Sequence, residues 1–579
     1  MPDQIRLHLG ADSNPEAMEP DGWTALAAAQ LEVDPAALAA TRLVRYSLDA
    51  RRNRMTWLVT LDVWRAGEEV PPSGVPTAPP AIAAPPDDAK RVVIVGSGPA
   101  GLFAALTLLR AGVRPIVLER GPDVQERRHA IAKLNRGQGT DPESNYAFGE
   151  GGAGTYSDGK LYTRSDKRGN VRQVMEDLVA HGAPERILTA WRPHIGSNQL
   201  PKVVEAIRET IRHSGGEVRF NSRADELLRN DSGRVVGVRT ASGEEIAADA
   251  VILATGHSAT DAVQMAMRAG AAAEAKGFAM GVRVEHPQAW VDSLQYRGQR
   301  DTAGLPPAFY EIAVEANGRS VFSFCMCPGG WVVPSQACEG TLVVNGMSLS
   351  KRDSAYANSG IVVAINPPDW CGKRGWRHGW SDLLKKAASL SDHPLLHAVV
   401  QDPRGGAPID VAAGRLPVHP AIDPLFGVRL QVALETVAFH AGGGTGKAPA
   451  QRCDRFVHGQ GPVVGDADSE PLATSYLPGL VAADFATILP KGLLARLREG
   501  ISRIDWQMPG FAGPRGQLIG VETRTSSPVR LLRDKTSCEA VGAAGLFPAG
   551  EGAGYAGGIV SAALDGVHVA DAVVARVRV

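Results

Sequence analysis

Cysteine is scarce in this sequence: six residues in 579. That is far too few to staple small loop-rich domains, so the fold must rest on buried apolar surface, and a reducing compartment is expected. An excess of either charge is also missing. The 61 basic residues meet 62 acidic ones, for a net charge of −1, and no general affinity for polyanions follows. Long apolar runs are absent as well. The most apolar helical stretch, AGLFAALTLLRAG, is cut by Arg110 and is too short to cross a bilayer. The opening residues MPDQIRLHLGADSNPEAMEPDG show no basic start leading into an apolar core, so no secretory signal is read there. No repeat recurs at solenoid spacing. What remains is a globular composition, 44% hydrophobic and 21% charged, in a chain too long for one core. A cytoplasmic enzyme of several domains is expected.

Proline marks the first boundary. Residues 71–86, PPSGVPTAPPAIAAPP, hold seven prolines and read as a semi-extended spacer. Before it, IRLHLG (5–10) and MTWLVTLDVW (55–64) read as strands. In the second, Trp57, Val59, Leu61 and Val63 fall on one face at a period of two. Helices are expected near Thr24–Leu31 and after Asp34-Pro35, a cap followed by proline at the first helical position. The predicted division is a small α+β domain (1–70), a Pro-rich linker (71–89), an α/β nucleotide-binding domain in two parts (90–260 and 520–579), and an α+β substrate or cap domain between them (261–519).

The strongest motif is RVVIVGSGPAGLFAALTLLRAGVRPIVLERG, residues 91–121. An apolar strand runs into Gly96-Ser97-Gly98-Pro99-Ala100-Gly101, a helix follows, and a second strand ends at Glu119 and Arg120. Gly96 permits the tight turn, Gly98 lets a pyrophosphate approach the backbone, and Gly101 lets helix and strand close up. The helix start supplies unpaired N–H groups and a positive dipole end. Glu119 stands 119 − 96 = 23 positions on, where a carboxylate can accept from an adenosine ribose and would repel a 2′-phosphate.

Two further segments carry a resemblance. GLFPAGEGAGYAGGIVSAALDGVHVADAVV (545–574) is strand, glycine turn and alanine-rich helix, and VILATGHSA (251–259) is strand into glycine. A chain returning in this way to a first Rossmann unit resembles the glutathione-reductase-type flavoproteins. With FGEGGAGTYSDGKLYT, HIGSNQLPKVVEAIR, FSFCMCPGGWVVPSQ and GVETRTSSPVR, most of the chain resembles a bacterial family of FAD-dependent dehydrogenases of unassigned substrate. The resemblance implies bound FAD. It also implies Thr255 and Gly256 near the dinucleotide, Glu551 after Gly550 at the ribityl chain, and the helix start at Gly557, Gly558 and Ile559 facing the pyrimidine end of the ring, where reduction places negative charge. The glycine-rich stretch NYAFGEGGAGTYSDGKLYT, with Gly149, Gly151, Gly152 and Gly154, is expected to run beside the ring, with Lys160 as a cation near it; a compact surface loop is the alternative.

Other residues are weighed against plainer readings. Glu522, Arg524 and Ser526 alternate before the last segment and could line the pocket, where an arginine binds a carboxylate or delivers a proton; a structural ion pair explains them equally well. Cys325 and Cys327 would share a strand face, either as a redox pair or, more simply, as buried structural cysteines. No metal site is expected, since no second ligand pair stands at zinc spacing. HAGGGTGKA (440–448) imitates a phosphate loop but follows a helix and is rejected. His194 and His257 read as structural histidines first and as acid–base groups second. Arg45, Arg51, Arg52 and Arg54 beside Tyr46 suit a solvated hairpin end better than RNA contact. With a single dinucleotide fingerprint, any NAD(P)H would bind transiently. The expected partners are a small-molecule substrate and an electron donor, without membrane or nucleic acid. The expected function is FAD-dependent oxidoreduction; the rival readings are a tRNA-modifying flavoprotein, a protein holding inert FAD and an NAD-only dehydrogenase.

Overall fold

The computed structural model describes residues 2–50, 55–162, 169–300, 304–371, 376–397, 399–400, 417–418, 423–463 and 471–578. Its nucleotide-type sheet has five parallel strands in the order Leu546–Pro548, Ala250–Leu253, Arg91–Val95, Arg114–Leu118 and Glu217–Arg219. A parallel sheet is covered on both faces, which is why these strands are almost uninterrupted Val, Ile and Leu. Val92, Val93 and Ile94 have no exposed surface. Helix Pro99–Arg110 leaves the first strand through Gly98, with proline in the position where a missing N–H costs nothing. Helix Ile559–Val577 lies across it. At Gly566 the two backbones nearly touch, and a Cβ there would sit 2.1 Å from the Ala100 carbonyl oxygen.

A second sheet has seven strands, in the order Ala313–Ala316, Arg319–Cys327, Tyr356–Ile365, Phe278–Pro287, Gln517–Glu522, Ala448–Arg452 and Leu480–Ala482. Phe278–Pro287 is central and buried along nearly its whole length. Helix Lys491–Gln507 begins after Pro490, and residues 485–487 form a separate single turn capped by Asp484. Proline disfavours helical backbone in the residue before it, so the helix has to start there.

The N-terminal strands Asp3–Gly10, Thr56–Arg65 and Leu38–Asp49 form an antiparallel sheet in that order, with Trp23, Ala27 and Ala28 of helix Pro20–Leu31 buried. The helix expected after Asp34-Pro35 is corrected. Asp34 does cap, accepting from the Ala36 N–H at 2.8 Å, but only a one-turn 3-10 segment follows before the chain enters the strand at Leu38. Pairing with Thr56–Arg65 outweighs the local start signal, as tertiary context commonly does. The sheet docks on the main body through Tyr46. Its N–H donates to the Thr189 carbonyl and its carbonyl accepts from Trp191 N–H, each at 3.1 Å. Arg51, Arg52 and Arg54 lie outside the described residues.

Candidate functional site

A cavity of about 380 Å³ runs from the glycine turn after the first strand to Lys160 and Cys325. Its near end is made mostly of backbone. Gly96, at φ +106°, turns where a Cβ would stand 2.4 Å from the Ala254 carbonyl oxygen. Gly101 is pressed so closely on Gly96 that a Cβ would reach that residue's carbonyl oxygen at 1.9 Å. Gly98 and Gly558 precede the two helices without any side-chain cap, so both positive helix ends open on the same space. The Gly152 backbone meets Gly98, with a built Cβ 3.3 Å from the Gly98 Cα, so the glycine-rich stretch lies directly over the first turn.

Glu119 organises this end. Its carboxylate accepts from Ser97 N–H at 3.0 Å, Ser97 Oγ at 2.7 Å, Gly121 N–H at 3.1 Å and Gly149 N–H at 3.0 Å. Those four bonds use its acceptor positions, so a ribose contact would displace one of them. Arg120 lines the cavity over the Phe148 ring, at 4.3 Å, and pairs with Asp261 at 2.7 Å. Beneath the glycine-rich stretch lies Arg127, fully buried, a residue the motif reading missed. It donates to the carbonyls of Asn145, Tyr146, Gly149 and Glu150, and burial lowers its pKa to about 10. Its only sequence signal was an arginine among apolar positions of helix Val124–Asn135.

The residues expected at the dinucleotide divide in two. Gly96, Gly98, Pro99, Ala100, Glu119, Arg120, Gly152, Thr255, Gly256, Glu551, Gly557, Gly558 and Ile559 line the cavity. Ser97, Gly101, Gly151 and Gly550 stand behind it. Ser97 holds Glu119, Gly151 N–H donates to the Ser97 carbonyl, and Gly550 N–H donates to Asp565 at 2.7 Å. Glu551 lies 3.5 Å from His257 Nδ1, which shares the wall.

At the far end side chains take over. Lys160 Nζ sits 3.4 Å from Asp158, 3.6 Å from Cys325 Sγ and 3.4 Å from Cys327 Sγ. Burial works against its charge, but Asp158 and the two sulfurs prevail and raise its pKa. Asp158 is likewise driven below the usual range: burial opposes this, and Lys160 and Arg352 win. Arg352 donates to it at 2.7 Å, and Ser348 Oγ–H donates to it too. Arg283, with no exposed surface, pairs with Glu522 at 2.7 Å and donates to the Cys325 carbonyl at 2.8 Å. Burial pushes the Glu522 carboxyl up to about 7 despite Arg283.

The expected alternation of Glu522, Arg524 and Ser526 along the cavity is corrected. The strand ends at Glu522, which is walled off behind Arg283, and consecutive residues Arg524 and Thr525 line the space. Arg524 is held by Glu435 through two bonds, at 2.8 and 2.7 Å. HAGGGTGKA follows helix Phe426–Ala441 and leads into strand Ala448–Arg452, away from the cavity.

A second cavity, of about 270 Å³, abuts the first and shares Lys160, Tyr162, Phe324 and Cys325 with it. Its other walls come from the N-terminal sheet (Tyr46, Trp57) and from Arg186, Arg192, Phe309 and Tyr310. His194 lies here, its Nε2–H donating to the Ser350 carbonyl at 3.2 Å; burial first, then Arg352, lowers its pKa to about 4, so it is neutral at pH 7.

The sequence is similar to known proteins. The family described as FAD dependent oxidoreductase matches residues 91–305, and that described as FAD-dependent protein, C-terminal domain-like, matches 277–379 and 412–525. A Clostridium beijerinckii protein described only as uncharacterized is 38% identical over 496 residues, covering 84% of this chain and 81% of its own. A probable fumarate reductase of Shewanella frigidimarina is 28% identical over 198 residues, which is 30% of this chain and 34% of that protein. Among solved structures, the open conformation of a flavocytochrome c3 fumarate reductase aligns with 85% of this chain and 78% of its own at 13% identity and a TM-score of 0.29. Among the described residues no helix is long and apolar enough to cross a membrane. With a glycine turn, two open helix starts and a long cavity beside them, the chain belongs to the FAD-dependent oxidoreductase family, and it is an oxidoreductase whose cofactor is FAD.

Proposed function

We propose that the 380 Å³ cavity holds FAD non-covalently, and that a small organic substrate meets it from the adjoining cavity. The residues present suit the cofactor. Uncapped N–H groups at Gly98 and Gly558 can take the pyrophosphate and the pyrimidine end of the ring, and Gly152 leaves room for a flat group against the backbone. Glu551, positioned by His257, would accept from the ribityl hydroxyls. When bound, FAD supplies two-electron transfer. The chain's own work is to bind, orient and exclude water. Lys160 and Arg524, both lining the cavity and both held by carboxylates, would set a positive field that favours the reduced cofactor; Glu522 acts only through Arg283, as a positioning residue.

The observation that carries this reading is the shared wall: Lys160, Tyr162, Phe324 and Cys325 face both cavities. The return of residues 545–574 to the parallel sheet, beside Ala250–Leu253, favours the glutathione-reductase-type layout, with 261–519 as a substrate domain and 1–70 as a module that completes the second cavity. The RNA reading has less support, because Tyr46 is 6% exposed and turned toward the second cavity. Anaerobic screening of the purified yellow protein against metabolites, including NADH and NADPH, tests the proposal. Bleaching by one donor class is expected. A protein that takes up no FAD, or whose FAD no donor reduces, would overturn it.

A further inference from the structure

We infer that Cys325 and Cys327 form a working dithiol that exchanges with a disulfide substrate bearing aromatic and carboxylate groups, admitted through the second cavity; this rests on the proposed placement of FAD across Cys325 in the first.

Geometry comes first. On a regular strand, side chains two residues apart stand roughly 6.5 Å from each other, too far for sulfur to meet sulfur. Here the strand is broken. Its pairing with Tyr356–Ile365 shifts register between Phe324 and Cys327, and Cys325 has φ +46°, in the left-handed region that side-chain-bearing residues avoid. The bulge turns both sulfurs onto one ammonium, at 3.6 and 3.4 Å from Lys160 Nζ, and the Cys327 thiol donates to the Cys325 carbonyl at 3.3 Å. A conformation of this kind costs about 1 kcal/mol or more and persists where its surroundings enforce it. Arg283, bonded to the Cys325 carbonyl at 2.8 Å, is the enforcing group.

The two sulfurs are not equivalent. Cys325 is half-buried and lines both cavities; Cys327 has no exposed surface and lines neither. The Cys327 thiol donates to the Cys325 carbonyl at 3.3 Å and so keeps its proton, and its neighbour Cys325 and burial raise its pKa. Cys325, the accessible sulfur, is held below the ordinary thiol range by Cys327 beside it, with Lys160 and Arg283 assisting against burial. That is the division between an attacking and a resolving thiol. The second cavity supplies the recognition. Trp57, Tyr162, Phe309 and Tyr310 give aromatic walls, and Arg186 gives a guanidinium group for a carboxylate, beside Arg192, which pairs with Glu311 at 2.6 Å.

In the exchange, Cys325 Sγ attacks one sulfur of RSSR, forming a mixed disulfide and expelling RS−. Cys327 Sγ then attacks Cys325 Sγ, its proton passing to the second leaving group, which departs as RSH. The substrate has gained two electrons and the protein pair has lost two. Two electrons and one proton from reduced FAD return the pair to one thiolate and one thiol.

Dithiobis(nitrobenzoate), an aromatic disulfide carrying carboxylates, is a direct probe on the purified full chain. The wild-type protein should release two nitrothiobenzoates per chain in a fast phase and keep no added mass. Cys327→Ser should release one and retain the adduct on the peptide containing residue 325. Cys325→Ser should lose the fast phase, slowing at least about tenfold. The yellow colour of each variant reports its FAD separately, so a failure of cofactor binding is read apart from a failure of thiol chemistry. Peptide mass mapping of the wild type stands on its own if a variant does not fold. A wild-type rate equal to that of Cys325→Ser, or a stable adduct on the wild-type protein, overturns the inference.

Discussion

The two ends of the 380 Å³ cavity are built from different materials. Near Gly96 the walls are main chain: glycines pressed together, helix starts without caps, and one carboxylate, Glu119, receiving four hydrogen bonds. Near Lys160 the walls are side chains brought from far apart in the chain: Asp158 and Lys160 from a loop meet Cys325 from the seven-stranded sheet, with Arg283 and Glu522 of the same sheet packed behind. A backbone site tolerates little substitution because each atom added strikes something that cannot move. A side-chain site fails by losing charge balance, and its position survives.

The sharpest way to break this contrast is Gly101→Val. With a Cβ already 1.9 Å from the Gly96 carbonyl oxygen, no rotamer relieves the clash, and colourless or insoluble protein is expected on purification. Arg283→Met should come next. It strands Glu522 without its cation and should cost about 3–5 kcal/mol in urea unfolding, with much of that recovered in the Arg283→Met, Glu522→Leu double variant. Recovery of none of it would show that Arg283 acts on the Cys325 backbone alone.

Glu150 gives a pH signature. Burial, its largest influence, raises its carboxyl from 4.5 to about 7 even though Val124 N–H and Arg208 both donate to it. A carboxyl whose folded pKa is raised binds more protons folded than unfolded between those two values. Its contribution is therefore present below pH 4.5 and is lost as pH rises through 7, by up to roughly 3 kcal/mol. Glu150→Gln should flatten that fall, as read from denaturation midpoints across the interval.

Lys160→Met keeps the dinucleotide end intact, so FAD content should be unchanged while iodoacetamide labelling of Cys325 at neutral pH slows about tenfold or more. Loss of FAD in this variant would erase the distinction between the two ends. The smallest effect belongs to Tyr46→Phe, which removes a 2.5 Å bond to Glu16 at the edge of the second cavity and should cost about 1 kcal/mol with the FAD spectrum untouched.

The same contrast explains what could be read from the sequence. Gly96, Gly98, Gly101 and Glu119 announce themselves within thirty residues because a backbone site needs particular residue types at fixed local spacing. The far end leaves no such trace. Nothing local to Arg283 says that it will lie under Cys325, forty-two positions away, and the strand bulge that turns both sulfurs inward depends on pairing with Tyr356–Ile365. Glu522 and Arg524 were assigned to one face by assuming that their strand continued. It stops at Glu522, so parity misplaced them. Residues 38–49 failed for a related reason: a true cap at Asp34 governed only a single turn before long-range pairing took over.

The close crossing of Gly566 over Ala100 also bears on how the protein is made. Residues 96–101 are translated before the helix start at Gly558 that borders the same cavity. Until Gly558 is made, the proposed pyrophosphate cradle has one jaw. On that placement a nascent chain lacks a full grip on the cofactor, and a retained nucleotide becomes a certificate that the whole stretch between those two glycines has been produced and folded.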